Sequence, residues 1–240
     1  MHLCLRATKL ACWTPPESVR DSITSLDLGF NHFVALPSFD PVPRLHTLWL
    51  HNNALRRLPE DLGALRQLRE LDLSYNQIES LPESLGELES LEILNLQGNR
   101  LRDLPESLGR LRRLRRINLY QNELRGLPTS IGRLTALEHL DASSNQIAEI
   151  PDSITDCRAL RWWVMSHNRI SRLPEALCRL SALRGAFFTG NRLSSLPAAS
   201  ADSDALVEIS GNAFARGWAS SYEAATGAGP RWRVRCTEPV

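Results

Sequence analysis

Asparagine recurs along this chain at Asn31, Asn53, Asn76, Asn99, Asn122, Asn145, Asn168, Asn191 and Asn212, in steps of 22, then six of 23, then 21 residues. A fixed period of this length means stacked units, none of which closes a core by itself. Around each asparagine lies the pattern LxxLxLxxNxL or a worn form of it. It is complete in Leu68, Leu71, Leu73, Asn76 and Ile78, and again in Leu91, Leu94, Leu96, Asn99 and Leu101. The LxL core alternates as a strand does, with leucines inward and the residues between them outward. After the strand the chain must turn away and leave backbone groups without ladder partners. An asparagine amide carries both donors and acceptors, so a stack of asparagines can satisfy each turn and its neighbour.

Between these cores lie LPxxLGxL segments, such as Leu81, Pro82, Leu85, Gly86 and Leu88. The proline fixes φ where the return segment begins. Glu60, Glu83, Glu106 and Glu175 follow it, where an acid suits a helix N-terminus. The combination resembles the leucine-rich-repeat family over about four-fifths of the chain. Its 23-residue LPxxLGxL version is similar to intracellular Ras-group proteins of the Ras-suppressor and scaffold type, and to many bacterial cytosolic or effector proteins. The Gly-Val-Tyr-Trp ending of the plant members is missing from this sequence. The resemblance implies an α/β fold: a right-handed horseshoe solenoid, with a parallel sheet on the concave face and short helices or 3-10 turns on the convex side. It also implies a non-enzymatic adaptor or scaffold in signal transduction, without cofactor, that binds a protein through the concave sheet. A small GTPase or another signalling protein is the partner it suggests.

Three regions follow from the repeat. Residues 1–22 are expected to form an N-terminal cap, with Leu3, Leu5 and Leu10 in phase and Thr8 in the asparagine place. Residues 23–214 hold nine repeats, and residues 215–240 are either a C-terminal cap or a flexible tail. Within the last region, Ala215 to Ala225 reads as a short helix, and Arg231 to Cys236 as an edge strand or a loose tail. The start, broken by Arg6 and Lys9, is a poor signal peptide, and no stretch is long and apolar enough to span a bilayer. Five irregularly spaced cysteines suit neither a disulfide framework nor a metal site and favour a reducing, cytoplasmic setting. Cys157 stands where other repeats carry a core leucine.

The outward strand positions are the sixth, fourth and second residues before each asparagine. The fourth-before column is polar at Asp72, Asn95, Asn118 and Asp141, with no structural need evident for it, and turns apolar at Val164 and Phe187. The sixth-before column carries Arg116 and Trp162, the second-before column Tyr120, and Trp49 is an isolated aromatic near the start. Aromatics and arginine dominate protein interfaces. Trp162, Val164 and Phe187 are therefore expected to anchor a partner, with Tyr120 and Arg116 beside them and Asp72, Asn95, Asn118, Asp141 and Trp49 on the same face. The competing reading is that Trp232 and Val234 fold back over the aromatic end.

The run Arg110 to Arg116, RLRRLRR, invites a nucleic-acid reading. With a net charge of +1, the register argues instead for lateral pairs Glu87–Arg110, Glu89–Arg112 and Glu92–Arg115, without nucleic acid or membrane as partner. His139, Asp141 and Ser143 share a strand face, yet no glycine-rich elbow or oxyanion hole accompanies them, so no catalytic residue is assigned. His51 and His139 are separated by four strands, too far to share a metal. The alternative function is target recognition for a larger enzyme or effector complex whose catalytic part lies on another chain.

Overall fold

The computed structural model describes residues 1–36, 42–197, 205–214 and 233–235. Eleven strands form one parallel sheet in chain order: β1 (His2–Cys4), β2 (Ser25–Asp27), β3 (Thr47–Trp49), β4 (Glu70–Asp72), β5 (Ile93–Asn95), β6 (Arg116–Asn118), β7 (His139–Asp141), β8 (Trp162–Val164), β9 (Gly185–Phe187), β10 (Leu206–Glu208) and β11 (Arg233–Arg235). This is a leucine-rich-repeat horseshoe. The middle residue of each strand from β2 to β10 points inward. Leu26, Leu48, Leu71, Leu94 and Leu140 are fully buried in a continuous core, where Trp163 and Ala186 later replace the leucine. The register is strict: Glu70 lies against Ile93, Ile93 against Arg116, Arg116 against His139, and His139 against Trp162.

One further strand flanks each end of β2 to β10. β1 pairs with β2, and Thr8 Oγ1 donates to the Leu5 carbonyl at 2.7 Å, the bond that each ladder asparagine makes three residues back. At the other end β11 pairs with β10, so residues 233–235 form an edge strand. Ala215 to Ala225 and Cys236 lie outside the described residues.

Among the described residues, six 3-10 helices line the convex side: Glu60–Ala64, Glu83–Glu87, Glu106–Arg110, Thr129–Arg133, Asp152–Asp156 and Glu175–Arg179. The proline before each sits at the cap, with φ between −55° and −71°. The glycine of LPxxLGxL lets successive helices touch: a Cβ on Gly132 would lie 2.2 Å from the Ser153 carbonyl oxygen. Thr155 and Cys178 hold that place in the last two helices.

The turn after each strand uses the left-handed region. Phe30, Asn52, Tyr75, Gln121, Ser144 and His167, each just before a ladder asparagine, have φ between 53° and 57°, and Gly98, Gly190 and Gly211 take the same place in their repeats. An L-residue there costs roughly 1–2 kcal/mol. The ladder over-determines the turn. Asn76 is typical: its Nδ2 donates to the Leu50 and Leu73 carbonyls, both at 3.0 Å, and its Oδ1 accepts the Leu55 N–H at 3.0 Å. Each asparagine thus ties its own turn to the preceding repeat, and the bent backbone has nowhere else to go.

Candidate functional site

The outward columns of the sheet reveal why its centre is polar. Beyond each strand the N–H two residues past the fourth-before position has left the ladder. Asp27, Asp72, Asn95, Asn118 and Asp141 each accept that N–H on Oδ1, from Gly29, Ser74, Gln97, Tyr120 and Ser143, at 2.9 to 3.2 Å. Glu208 does the same for Ser210 at 3.2 Å. These are side-chain-to-backbone turns of the kind short polar residues favour. The strand-end amides thus give Asp72, Asn95, Asn118 and Asp141 a structural need that the linear pattern does not display.

The same geometry singles out the exceptions. Trp49, Val164 and Phe187 occupy this column and cannot accept the bond. Trp49 is engaged locally: its Nε1 donates to Glu70 Oε1 at 2.9 Å and its ring meets His2 edge-on at 6.2 Å. It lies five strands from Trp162, about 24 Å by sheet spacing, and belongs to a different part of the face. Val164 and Phe187 are half-buried beside Trp162, which is 39% exposed. The Trp162 and Phe187 rings stack with centroids 6.3 Å apart and an interplanar angle of 16°. Gly185 makes room for the stack, since a Cβ there would lie 2.7 Å from the Trp162 ring and 2.9 Å from that of Phe187.

A hollow of about 350 Å³ opens on the concave sheet next to this stack. Asn95, Arg116, Asn118, Asp141, Trp162 and Val164 line it, so it gathers six of the ten expected partner residues. Phe187 borders it through the stack. Tyr120, Asp72 and Trp49 are not among its lining residues. Five lining residues were not in the expected set: the inward strand residues Leu94, Ile117 and Leu140, and the outward Ile93 and His139. Ile93 and His139 stand in the sixth-before column on either side of Arg116, with His139 between Arg116 and Trp162, and the column itself was the signal that would have found them. Partial burial, Arg116 and Arg161 hold the His139 imidazole below its ordinary pKa, against the opposing pull of Glu138.

Asp141 and Ser143 do not make a relay with His139. The Asp141 Oδ1 is bonded to the Ser143 backbone N–H at 2.9 Å, and Ser143 is only 5% exposed. Among the described residues no group of three or more His, Cys, Asp or Glu side chains is placed to hold a metal ion. No helix among them is long and apolar enough to cross a membrane. Cys157 fills a leucine place fully buried, donates through Sγ to the Ile131 carbonyl at 3.2 Å, and burial, aided by Asp156, pushes its thiol up to about 12.

The lateral ion pairs differ from the expected set. Of the three, only Glu92–Arg115 forms, at 4.0 Å. Arg115 also reaches Glu138 at 3.8 Å, and Glu138 reaches Arg161 at 3.9 Å. Arg112 turns instead to the carbonyl of Arg133, at 2.8 Å. The Arg133 carbonyl, at the end of its short helix, accepts this guanidinium alongside the Thr135 N–H at 3.0 Å, and so competes for it with a hydrated carboxylate. Glu106 shows the acid counterpart. It takes the N–H groups of Thr129 and Ser130, both at 2.9 Å, so it caps the helix of the next repeat rather than its own. Desolvation works against its charge, but these bonds prevail and hold its carboxyl below the ordinary range.

Comparison with other proteins agrees with this architecture. A family profile described as a leucine-rich repeat region matches residues 18–146, and one for a single leucine-rich repeat matches residues 136–157. No curated protein matches the chain. A leucine-rich-repeat protein of Leptospira interrogans shares the fold with a TM-score of 0.65 at 24% identity, over 95% of this chain and 63% of its own. An internalin from Listeria monocytogenes does so with a TM-score of 0.70 at 23% identity, over 92% and 62%. The leucine-rich-repeat ectodomain of a plant membrane receptor kinase from Arabidopsis thaliana, solved in complex with Casparian strip integrity factor 2, gives 0.68 at 28% identity, over 93% and 29%. The chain therefore spans about three-fifths of the length of the two bacterial relatives. With more than half of its residues matched by the repeat-region profile, the chain belongs to the leucine-rich-repeat family.

Proposed function

We propose that this chain is a non-enzymatic protein–protein interaction module, an intracellular signalling adaptor or scaffold that seats its partner in the concave hollow against Trp162, Val164 and Phe187. One observation carries the reading. At the position where the fold rewards a polar residue with a strand-end hydrogen bond, β8 and β9 carry Val164 and Phe187 instead, half-exposed and next to a stacked tryptophan. Neither core packing nor turn chemistry calls for apolar groups there, whereas exposed aromatic anchors suit a protein interface. The Arabidopsis ectodomain is an example of a leucine-rich-repeat domain solved in complex with a factor, Casparian strip integrity factor 2.

In this reading residues 1–22 cap the start of the repeats 23–214, and residues 215–240 are either a C-terminal cap or a flexible tail. The asparagine ladder from Asn31 to Asn212 holds the sheet rigid, and Arg116, Asn118, Asn95 and Asp141 supply polar contacts. The 23-residue LPxxLGxL repeat favours the Ras-suppressor and scaffold type, with a small GTPase or another signalling protein as partner in the cytoplasm. A second reading, target recognition for a larger enzyme or effector, draws on the fact that this chain spans only part of its structural relatives' length.

The test is affinity purification with wild type and with the Trp162→Ala/Phe187→Ala variant, alongside thermal melting. The double variant is expected to melt near wild type and to lose its bound protein. Unchanged capture by the double variant refutes the site. A large drop in melting temperature would favour the rival in which the tail covers these rings; Trp232 lies outside the described residues.

A further inference from the structure

We infer that the segment seated in the hollow carries an acidic side chain and, about 10 Å further along, a large apolar one; this rests on the interaction reading above and names the partner's chemistry. The charge side comes from Arg116. It is exposed, it lines the hollow, and among the described residues it enters no ion pair. The acids flanking its strand are already engaged, Glu92 by Arg115 and Glu138 by Arg115 and Arg161.

The amides beside it are donors. Asn95 and Asn118 commit their Oδ1 atoms to the Gln97 and Tyr120 N–H groups. That bond fixes each side chain and leaves Nδ2 as the group to offer. Asn118 spends part of its Nδ2 on Gln97 Oε1 at 3.1 Å, and Asn95 keeps its own for a ligand. An arginine with a fixed amide donor one strand away suits a carboxylate, which accepts several charge-assisted bonds at once. Asp141, the one acid lining the hollow, sits toward Val164, where its second oxygen can take a backbone N–H of the bound segment.

The apolar side is the Trp162 stack. Arg116 and Trp162 stand in one column two strands apart, with only His139 between them, which gives roughly 9.6 Å between their strands. A polyproline-type segment advances about 9.3 Å in three residues and brings the fourth side chain back to the same face. An acid followed three positions later by an aromatic therefore meets both subsites at once.

The probe is the acetylated and amidated peptide Ser-Asp-Pro-Pro-Phe-Ser, whose prolines hold the extended form. Three relatives replace its Asp with Asn, its Asp with Lys, or its Phe with Ser. Binding to the full chain is followed by NMR through the Trp162 indole N–H. The Asp peptide is expected to shift that signal and to bind about tenfold more tightly than the Asn peptide, the margin of one charged hydrogen-bonded contact. The Lys and Ser peptides should be weaker still. Arg116→Gln should erase the Asp-over-Asn preference, while Arg113→Gln, an exposed arginine outside the hollow, should keep it.

Equal affinity of the Asp and Asn peptides, a preference that survives Arg116→Gln, or no shift from the Asp peptide up to about 1 mM overturns the inference. Displacement of the Asp peptide by single-stranded oligouridylate also overturns it, in favour of a nucleic-acid phosphate at Arg116. Loss of charge preference while Trp162→Ala/Phe187→Ala still abolishes capture defeats only the charge assignment. Capture that survives the double variant defeats the interaction site itself.

Discussion

Replacing Asn122 with alanine tests the ladder at its centre. Asn122 is 8% exposed; its Nδ2 donates to the Leu96 carbonyl at 3.0 Å and the Leu119 carbonyl at 3.1 Å, and its Oδ1 accepts the Leu101 N–H at 3.1 Å. The three groups do not suffer equally. The Leu96 carbonyl keeps a second donor in Asn99, at 3.0 Å, and the Leu119 carbonyl keeps Asn145, at 2.9 Å. The Leu101 N–H keeps none. One buried, orphaned N–H costs about 1–3 kcal/mol, and each thinned carbonyl adds about 0.5–1 kcal/mol, so the substitution is expected to cost about 2–5 kcal/mol. Asn212 makes the same set of bonds at the end of the ladder but is half-exposed, so water can replace them. Asn212→Ala should cost no more than about 1.5 kcal/mol. Urea unfolding followed by circular dichroism measures both. Because a solenoid is held by nearest-neighbour interfaces, Asn122→Ala should also lower the denaturant slope as the two halves uncouple. A cost for Asn122→Ala under about 1 kcal/mol, or equal to that of Asn212→Ala, would refute the account of the ladder.

Other outcomes follow from the packing and the charges. Gly132→Ala forces a methyl against the Ser153 carbonyl and should cost about 1–3 kcal/mol, whereas Gly126, with nothing within 4 Å of its Cβ position, should accept alanine without loss; melting temperatures separate the two. Iodoacetamide at pH 8 should label the exposed Cys4, Cys12 and Cys178 in the native protein and spare buried Cys157 until urea is added; peptide mapping that finds Cys157 labelled as fast as the others contradicts its burial. Glu106 has a folded pKa below the ordinary 4.5, so its capping contribution is complete above that value and disappears as pH falls through the lowered folded one. Glu106→Ala should therefore lower the melting temperature at pH 7 and make it less sensitive to acid below pH 4.5; an unchanged acid slope argues against the cross-repeat cap.

Which residues would share a face was readable in advance, because a two-residue strand period and a 23-residue repeat dictate it together. The columns that contain Arg116, His139 and Trp162, and Asn118, Asp141 and Val164, were counted from the asparagines and are the columns that the strand register shows. What those columns were for was less legible. Asp72, Asn95, Asn118 and Asp141 looked like free recognition groups because nothing in a linear pattern marks a strand-end amide that has lost its ladder partner. The charged edge misled for a similar reason: register brings Glu89 and Arg112 to neighbouring places, but a long guanidinium also reaches the Arg133 carbonyl one repeat further along.

By itself, the amino-acid sequence determined the repeat, its period, the buried leucines and the line of asparagines, since each is a consequence of spacing. Only the tertiary structure decided the rest: the left-handed turn before each asparagine, the glycine that lets one 3-10 helix rest on the next carbonyl, and the hollow beside the stacked rings of Trp162 and Phe187. Those depend on which side chains and backbone groups lie a few ångströms apart in neighbouring repeats, and that distance is set by how the repeats stack.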